Sequence, residues 1–216
     1  MNKSILSLFL VLATLAVPVR AAPFEELTHY VPIAGAPPPA ADSKIEVHEF
    51  FMWTCPHCMQ FEPHLHKWLA RKPADINFVK VPAVFNPASG MLARAFYALE
   101  ALGELERLND AFFNAIVNDR RKLDSEAAIA SFVNQFGVDE AKFREAFNSF
   151  AVAAKVRRAE QLGERFRINS VPKLVVDERY KTGDGLGSYE QMLAVTDFLI
   201  DESRKLRQAG AGATAR

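Results

Sequence analysis

Cys55-Pro56-His57-Cys58 constrains this chain more than any other stretch. The chain has two cysteines, and both lie in this motif. Within the chain they can bridge only each other. A ring closed over so few residues removes little entropy from the unfolded chain, so it is a poor staple. Its use is chemical: a disulfide opened and closed by thiol–disulfide exchange. The motif also sits at a local boundary. Residues 45–51, Ile-Glu-Val-His-Glu-Phe-Phe, read as a strand entering the core. After it, Phe61, Leu65, Trp68 and Leu69 form the apolar stripe of a helix that begins at about Cys55 or Pro56. The first N–H groups of a helix lack internal partners, and its dipole favours an anion there. The thiolate is the reactive form of cysteine. Cys55 is therefore expected to be the low-pKa, solvent-facing sulfur. Cys58, one turn further in, is expected to be buried and to resolve a mixed disulfide.

The 216 residues suffice for one domain with a real core, or for one domain carrying a large insert. Residues 35–41, with three consecutive prolines, predict an extended linker. Pro63 lies inside the first helix and predicts a kink. Residues 76–81 form a second strand. From about 86 to 166 the apolar period is helical throughout, with Gly103 as a C-cap, Asp139 and Ser149 as N-caps, and a Val138–Phe143 staple. Strand character returns at 171–176 and weakly at 180–182. A last helix runs from about Ser188 to Arg207, and a flexible tail follows from Gln208. The order predicts an α/β domain interrupted by an all-helical insert. The boundaries are residues 22–85 and 167–207 for the α/β part, 86–166 for the insert and 208–216 for the tail.

Residues 1–21 read as a signal peptide rather than as fold. Lys3 supplies the positive start, and residues 5–17 are apolar but shorter than the ~20 residues of a membrane span. Val19-Arg20-Ala21 suits cleavage after Ala21; the competing reading is an uncleaved anchor. Export matters because disulfides persist outside the reducing cytosol. With 26 basic and 26 acidic residues, nothing points to nucleic acid or to an anionic membrane surface.

His57 lies between the two sulfurs. Its N–H or its charge would stabilise a thiolate, and a stabilised thiolate makes the disulfide a stronger oxidant; otherwise it is an exposed helix-start residue. Glu49 shares a strand face with Ile45, Val47 and Phe51, where an apolar residue is expected. If buried, its pKa rises and it can exchange a proton with Cys58; if the strand ends there, it reaches solvent. No metal site is expected. His64 and His66 are two apart on a helix and cannot face one ion with the cysteines. Met59, not histidine, follows Cys58, which excludes c-type haem attachment.

Glu49-Phe50-Phe51-Met52-Trp53-Thr54-Cys55-Pro56-His57-Cys58, the helical insert and Ser170-Val171-Pro172 together resemble the DsbA family of periplasmic thiol:disulfide oxidoreductases. The resemblance implies a thioredoxin-like fold interrupted by the helical insert. It implies Cys55 as nucleophile, Cys58 as resolving cysteine and Glu49 as a buried acid; Pro56 and His57, between the cysteines, are counted with the catalytic residues. It implies Pro172 as a cis-proline facing the disulfide, with the Val171 backbone open to an extended substrate. The implied function is a periplasmic dithiol oxidase. As a monomer without a cofactor, it would donate its disulfide to reduced, unfolded exported proteins and be reoxidised by a membrane quinone reductase of the DsbB type. The alternatives are an isomerase or reductase of the same superfamily, or a redox-independent peptide-binding chaperone. Periplasmic isomerases carry a dimerisation domain, for which residues 22–44 leave no room. They also usually have threonine, not Val171, before the cis-proline.

Overall fold

The computed structural model describes residues 23–38 and 44–214. The expected signal peptide, its cleavage point and residues 39–41 of the linker lie outside them; residues 35–38 are neither helix nor strand. In chain order the elements begin with β1 (Tyr30–Pro32), β2 (Ile45–Phe51), α1 (Pro56–Ala70) and β3 (Ile76–Pro82). Five helices follow: α2 (Pro87–Ala101), α3 (Leu105–Phe113), α4 (Glu126–Asn134), α5 (Glu140–Phe147) and α6 (Phe150–Arg165). The chain returns to the sheet as β4 (Lys173–Val176) and β5 (Tyr180–Thr182), and ends in α7 (Tyr189–Thr214).

Alternation in β2 builds the centre. Ile45 and Val47 pack with Phe61, Leu65 and Trp68 of α1 and Leu199 of α7. His48 and Phe50 turn the other way, onto Phe166 just after α6. The sheet order is β1-β5-β4-β2-β3, with β2 and β3 parallel and the other pairs antiparallel. The parallel pair requires a crossover, which α1 supplies. The five helices between β3 and β4 interrupt the α/β part as the sequence predicts. Their aromatic residues, among them Phe96, Phe112, Phe132 and Phe143, share one core with Phe51 and Trp53. Each fully buried Phe contributes roughly 1.5–3 kcal/mol of transfer free energy, so the insert is held to the sheet by its rings.

Local signals set the helix ends. Asp139 accepts from Lys142 N–H and Ser149 from Val152 N–H, the expected caps. Asn86 and Ser89 form a reciprocal capping box. Gly103 follows α2 at φ +71°, a conformation open to glycine at little cost. α1 runs uninterrupted through Pro63, which leaves the Met59 carbonyl without its usual N–H donor. Three features differ from expectation. β1 was not expected; it is three residues long and exists by pairing with β5. α3 continues into a turn of π-helix over Asn114–Asn118. Where a flexible tail was expected, the last helix runs on through Thr214. Among the described residues no helix is long and apolar enough to cross a membrane.

Candidate active site

Cys55 is the N-cap residue of α1. Its backbone is extended (φ −97°, ψ 112°), and its Sγ takes the place a serine or aspartate oxygen usually holds, accepting the Cys58 N–H at 3.3 Å. Pro56 fills the first helical position, where the missing N–H costs nothing. Both cysteines are free thiols; Cys55 is half-buried and Cys58 fully buried. The Cys55 thiol is pulled down from 9.0 to about 6. The largest cause is a hydrogen bond from the Cys58 thiol. Next come the backbone N–H groups of Cys58 and His57 and the His57 charge, all opposed by partial burial. Cys58 moves the opposite way, far above its ordinary range, first through burial and then through the Cys55 sulfur. One turn of helix thus separates a sulfur that prefers to be a thiolate from one that must keep its proton.

From the far side of the sheet, the Val171–Pro172 peptide bond is cis. The Val171 carbonyl lies 3.5 Å from Cys55 Sγ, 116 positions away in sequence, and accepts the thiol proton. Pro172 is buried, while Val171 keeps some exposure.

Glu49 is fully buried and does not reach solvent. Neither of its oxygens has a hydrogen-bond partner, although Lys80 Nζ stands 3.4 Å from Oε2. Burial raises its pKa from 4.5 to about 7, with Lys80 opposing and Glu62 adding to the rise. β2 and β3 place Glu49 and Lys80 side by side in register. Lys80 makes its closer contact with Glu62 of α1. Glu62 also accepts from Asn109 Nδ2 at 2.9 Å, and Asn109 accepts from the Trp53 indole at 3.0 Å. A cavity of about 660 Å³, lined in part by Glu62, His66, Lys80 and Asp110, lies against this cluster.

His57 is exposed, and its Nδ1 is 3.3 Å from the Tyr189 hydroxyl at the start of α7. His64 and His66 turn to different carboxylates, Glu190 at 2.9 Å and Glu62 at 3.7 Å. Among the described residues no three His, Cys, Asp or Glu side chains are placed to hold a metal. The sequence reading missed Lys80, Glu62, Asn109 and Tyr189. Lys80 had a signal: on β3 it shares a face with Ile76 and Phe78, the same break in alternation that singled out Glu49.

Comparison with known proteins gives the family. The DSBA-like thioredoxin domain family matches over residues 80–195. The thiol:disulfide interchange protein DsbA of Pseudomonas syringae pv. tomato is 35% identical over 212 residues, 97% of this chain and 99% of that protein. Its counterpart from Bordetella parapertussis is 39% identical over 82% of this chain and 85% of its own length. The crystal structure of Pseudomonas aeruginosa DsbA superposes with a TM-score of 0.80 at 33% identity, covering 86% of this chain and 97% of that one. With a redox-type cysteine pair at the helix start, a thioredoxin-like sheet and helices between β3 and β4, the chain belongs to the DsbA family of thiol:disulfide oxidoreductases.

Proposed function

We propose that the protein works as an oxidase, introducing disulfides into reduced, unfolded proteins exported to the periplasm. The observation that carries this reading is the opposed pair of thiols, with Cys55 lowered to about 6 and Cys58 raised. A thiolate stabilised in the dithiol form makes the corresponding disulfide a stronger oxidant. In the forward reaction a substrate thiolate attacks Cys55 Sγ of the disulfide and forms an S–S bond to it. The Cys55–Cys58 bond breaks, and its electron pair leaves on Cys58. A second substrate thiolate then attacks the substrate sulfur of the mixed disulfide, and Cys55 leaves as a thiolate. The substrate is oxidised by two electrons and the pair is reduced.

Cys58 is buried and leaves as an anion, so it needs a proton. Glu49, near neutrality about half protonated, can supply it and regain it through Lys80, Glu62 and the adjoining cavity. The exposed part of Val171 offers an edge to an extended substrate, in the manner of strand addition. Pro56 sets the helix start and His57 adds to thiolate stabilisation. The chemistry is complete in the two sulfurs and needs no cofactor. The cycle closes through a DsbB-type membrane quinone reductase, with the mature monomer beginning after Ala21. Residues 22–85 and 167–207 would then carry the chemistry, and the insert of residues 86–166 would cover it.

The test is the redox equilibrium of Cys55 and Cys58 in glutathione buffers. The pair should be reduced even in oxidising mixtures. A potential near the about −270 mV of a thioredoxin-type reductase would overturn the oxidase reading.

A further inference from the structure

We infer that Tyr189 is a positioning residue for the reaction, holding His57 with Nδ1 protonated through a hydrogen-bonded chain that ends on Gln60. The inference rests on the reading of Cys55 as a thiolate assisted by His57.

The chain of contacts is short. Tyr189 Oη donates to Gln60 Oε1 at 3.1 Å. A phenol has one proton to give. With that proton committed, Oη can only accept from His57, whose Nδ1 lies 3.3 Å away. His57 must then carry its proton on Nδ1, in the neutral ring as in the cation. An acceptor at Nδ1 fixes the ring beside the helix start, where the His57 charge helps hold the Cys55 thiolate.

Tyr189 is well placed to hold a ring in this way. It is the first residue of α7, and the turn before it is tied down twice: Gln191 N–H donates to Ser188 Oγ at 3.1 Å, and Gln191 Oε1 accepts from Gly187 N–H at 2.7 Å. The phenol ring packs on Phe61 and His64 of α1, with centroids 5.6 and 5.3 Å apart. The hydroxyl is therefore fixed relative to the helix that carries both cysteines. Burial raises the phenol's pKa and so does charge on Cys55, so it stays a donor at neutral pH. The other charged groups around the pair are Cys55 on α1 and the His64–Glu190 couple, which is closed on itself at 2.9 Å.

Three variants test this, with the Cys55 pKa followed by thiolate absorbance and the equilibrium read in glutathione. Tyr189→Phe keeps the ring packing and removes the hydroxyl. It should raise the Cys55 pKa and weaken the disulfide as an oxidant by about two- to threefold, the scale of one exposed hydrogen bond. His57→Ser should shift both in the same direction, by more. In the double variant Tyr189→Phe should add nothing, which a merely structural role would not produce. Nitrogen NMR of neutral His57 should show the Nδ1–H tautomer, with the preference lost in Tyr189→Phe and in Gln60→Leu. A dominant Nε2–H tautomer, or a Tyr189→Phe effect undiminished in the His57→Ser background, would overturn the inference. So would a shift in His57→Ser with none in Tyr189→Phe, which leaves the role of His57 standing. No shift in His57→Ser would remove both.

Discussion

Two clusters of polar groups flank the start of α1, and they follow different rules. The outer one, Cys55, His57, Gln60 and Tyr189, lies at or near the surface and is joined by single hydrogen bonds of 3.1–3.5 Å to Val171, to Cys58 N–H and within itself. The inner one, Glu49, Lys80, Glu62, Asn109 and Trp53, is almost wholly shielded from water. Near the surface solvent screens each charge, so single contacts are worth little, and the Cys55 thiol is lowered by several hydrogen bonds and the His57 charge together. In the interior an unpaired charge is costly, and the groups hold one another in place. On the proposed reading, the outer groups tune the reactive sulfur and the inner ones manage a buried proton. Cys55 and Cys58 are the point at which the two clusters meet.

The sharpest break of that comparison is between the two cysteines. Cys58→Ser leaves the outer sulfur without its resolving partner and should accumulate covalent mixed disulfides with reduced substrates. Cys55→Ser leaves only a sulfur that is fully buried and holds its proton, and should trap almost none. Non-reducing gels after exposure to reduced, unfolded proteins check this. Equal trapping by both would mean that the inner sulfur is reachable.

Next in size is Lys80→Met. It removes the cation that pairs with both Glu49 and Glu62 and leaves two carboxylates near each other in the interior. Breaking a buried pair in this way costs about 3–5 kcal/mol, read as a lower urea midpoint. A loss below about 1 kcal/mol, the scale of a surface pair, would show that water from the cavity at Glu62 reaches the cluster and that the inner side is not dry.

What was legible in the sequence follows the same divide. β2, the start of α1 and the caps at Asp139 and Ser149 depend on neighbours within a few residues, and they form where the sequence predicts. The outer site was legible as far as its motif reaches: Cys55, Pro56, His57 and Cys58 are consecutive. Tyr189 was not, because 132 positions separate it from His57 and nothing in the pattern of α7 says what its first residue touches. The inner cluster was half legible. Glu49 broke the alternation of β2 and was noticed; Lys80 broke that of β3 at the register position beside it and was passed over. Glu62 carried no sign, since its neighbour Phe61 already defined the apolar stripe. β1 could not be read because three residues ending in proline form a strand only when β5 is there to pair with them.

Glu49→Gln tests the inner cluster by pH. The folded pKa of about 7 lies above the ordinary 4.5. Between those values the folded state keeps a proton that the unfolded chain has released. Stability therefore falls as pH rises through that window, with the full penalty above pH 7. Glutamine removes the titration, so the variant should be more stable than the parent at pH 8 by on the order of 3 kcal/mol and no more stable at pH 4. It should also oxidise substrates more slowly, because Cys58 loses its proton source. Parallel melts across that range check the sign, and an unchanged pH profile would remove Glu49 from the proton path.

Smaller than these is the effect predicted on the outer side for His57→Ser. The sign of linkage there is reversed. In the reduced protein the Cys55 pKa of about 6 lies below the ordinary 9.0. Thiolate stabilisation of the reduced fold is absent below pH 6, grows as pH rises from 6 to 9, and is complete above 9. The oxidised protein has no such group, so the reduced form should gain on it across that window. His57 is one contributor among several. The Cys58 thiol and two backbone N–H groups do more, and all three remain in the variant. Replacing the ring should raise the Cys55 pKa by less than about one unit, at most tenfold in the redox equilibrium, and should raise the lower edge of the window by the same amount. Denaturant midpoints of both redox forms from pH 5 to 9 read the window directly. A shift of several units would mean that the imidazole, not the hydrogen bonds at the helix start, holds the thiolate. The outer cluster would then be governed by one dominant charge, as the inner one is by Lys80.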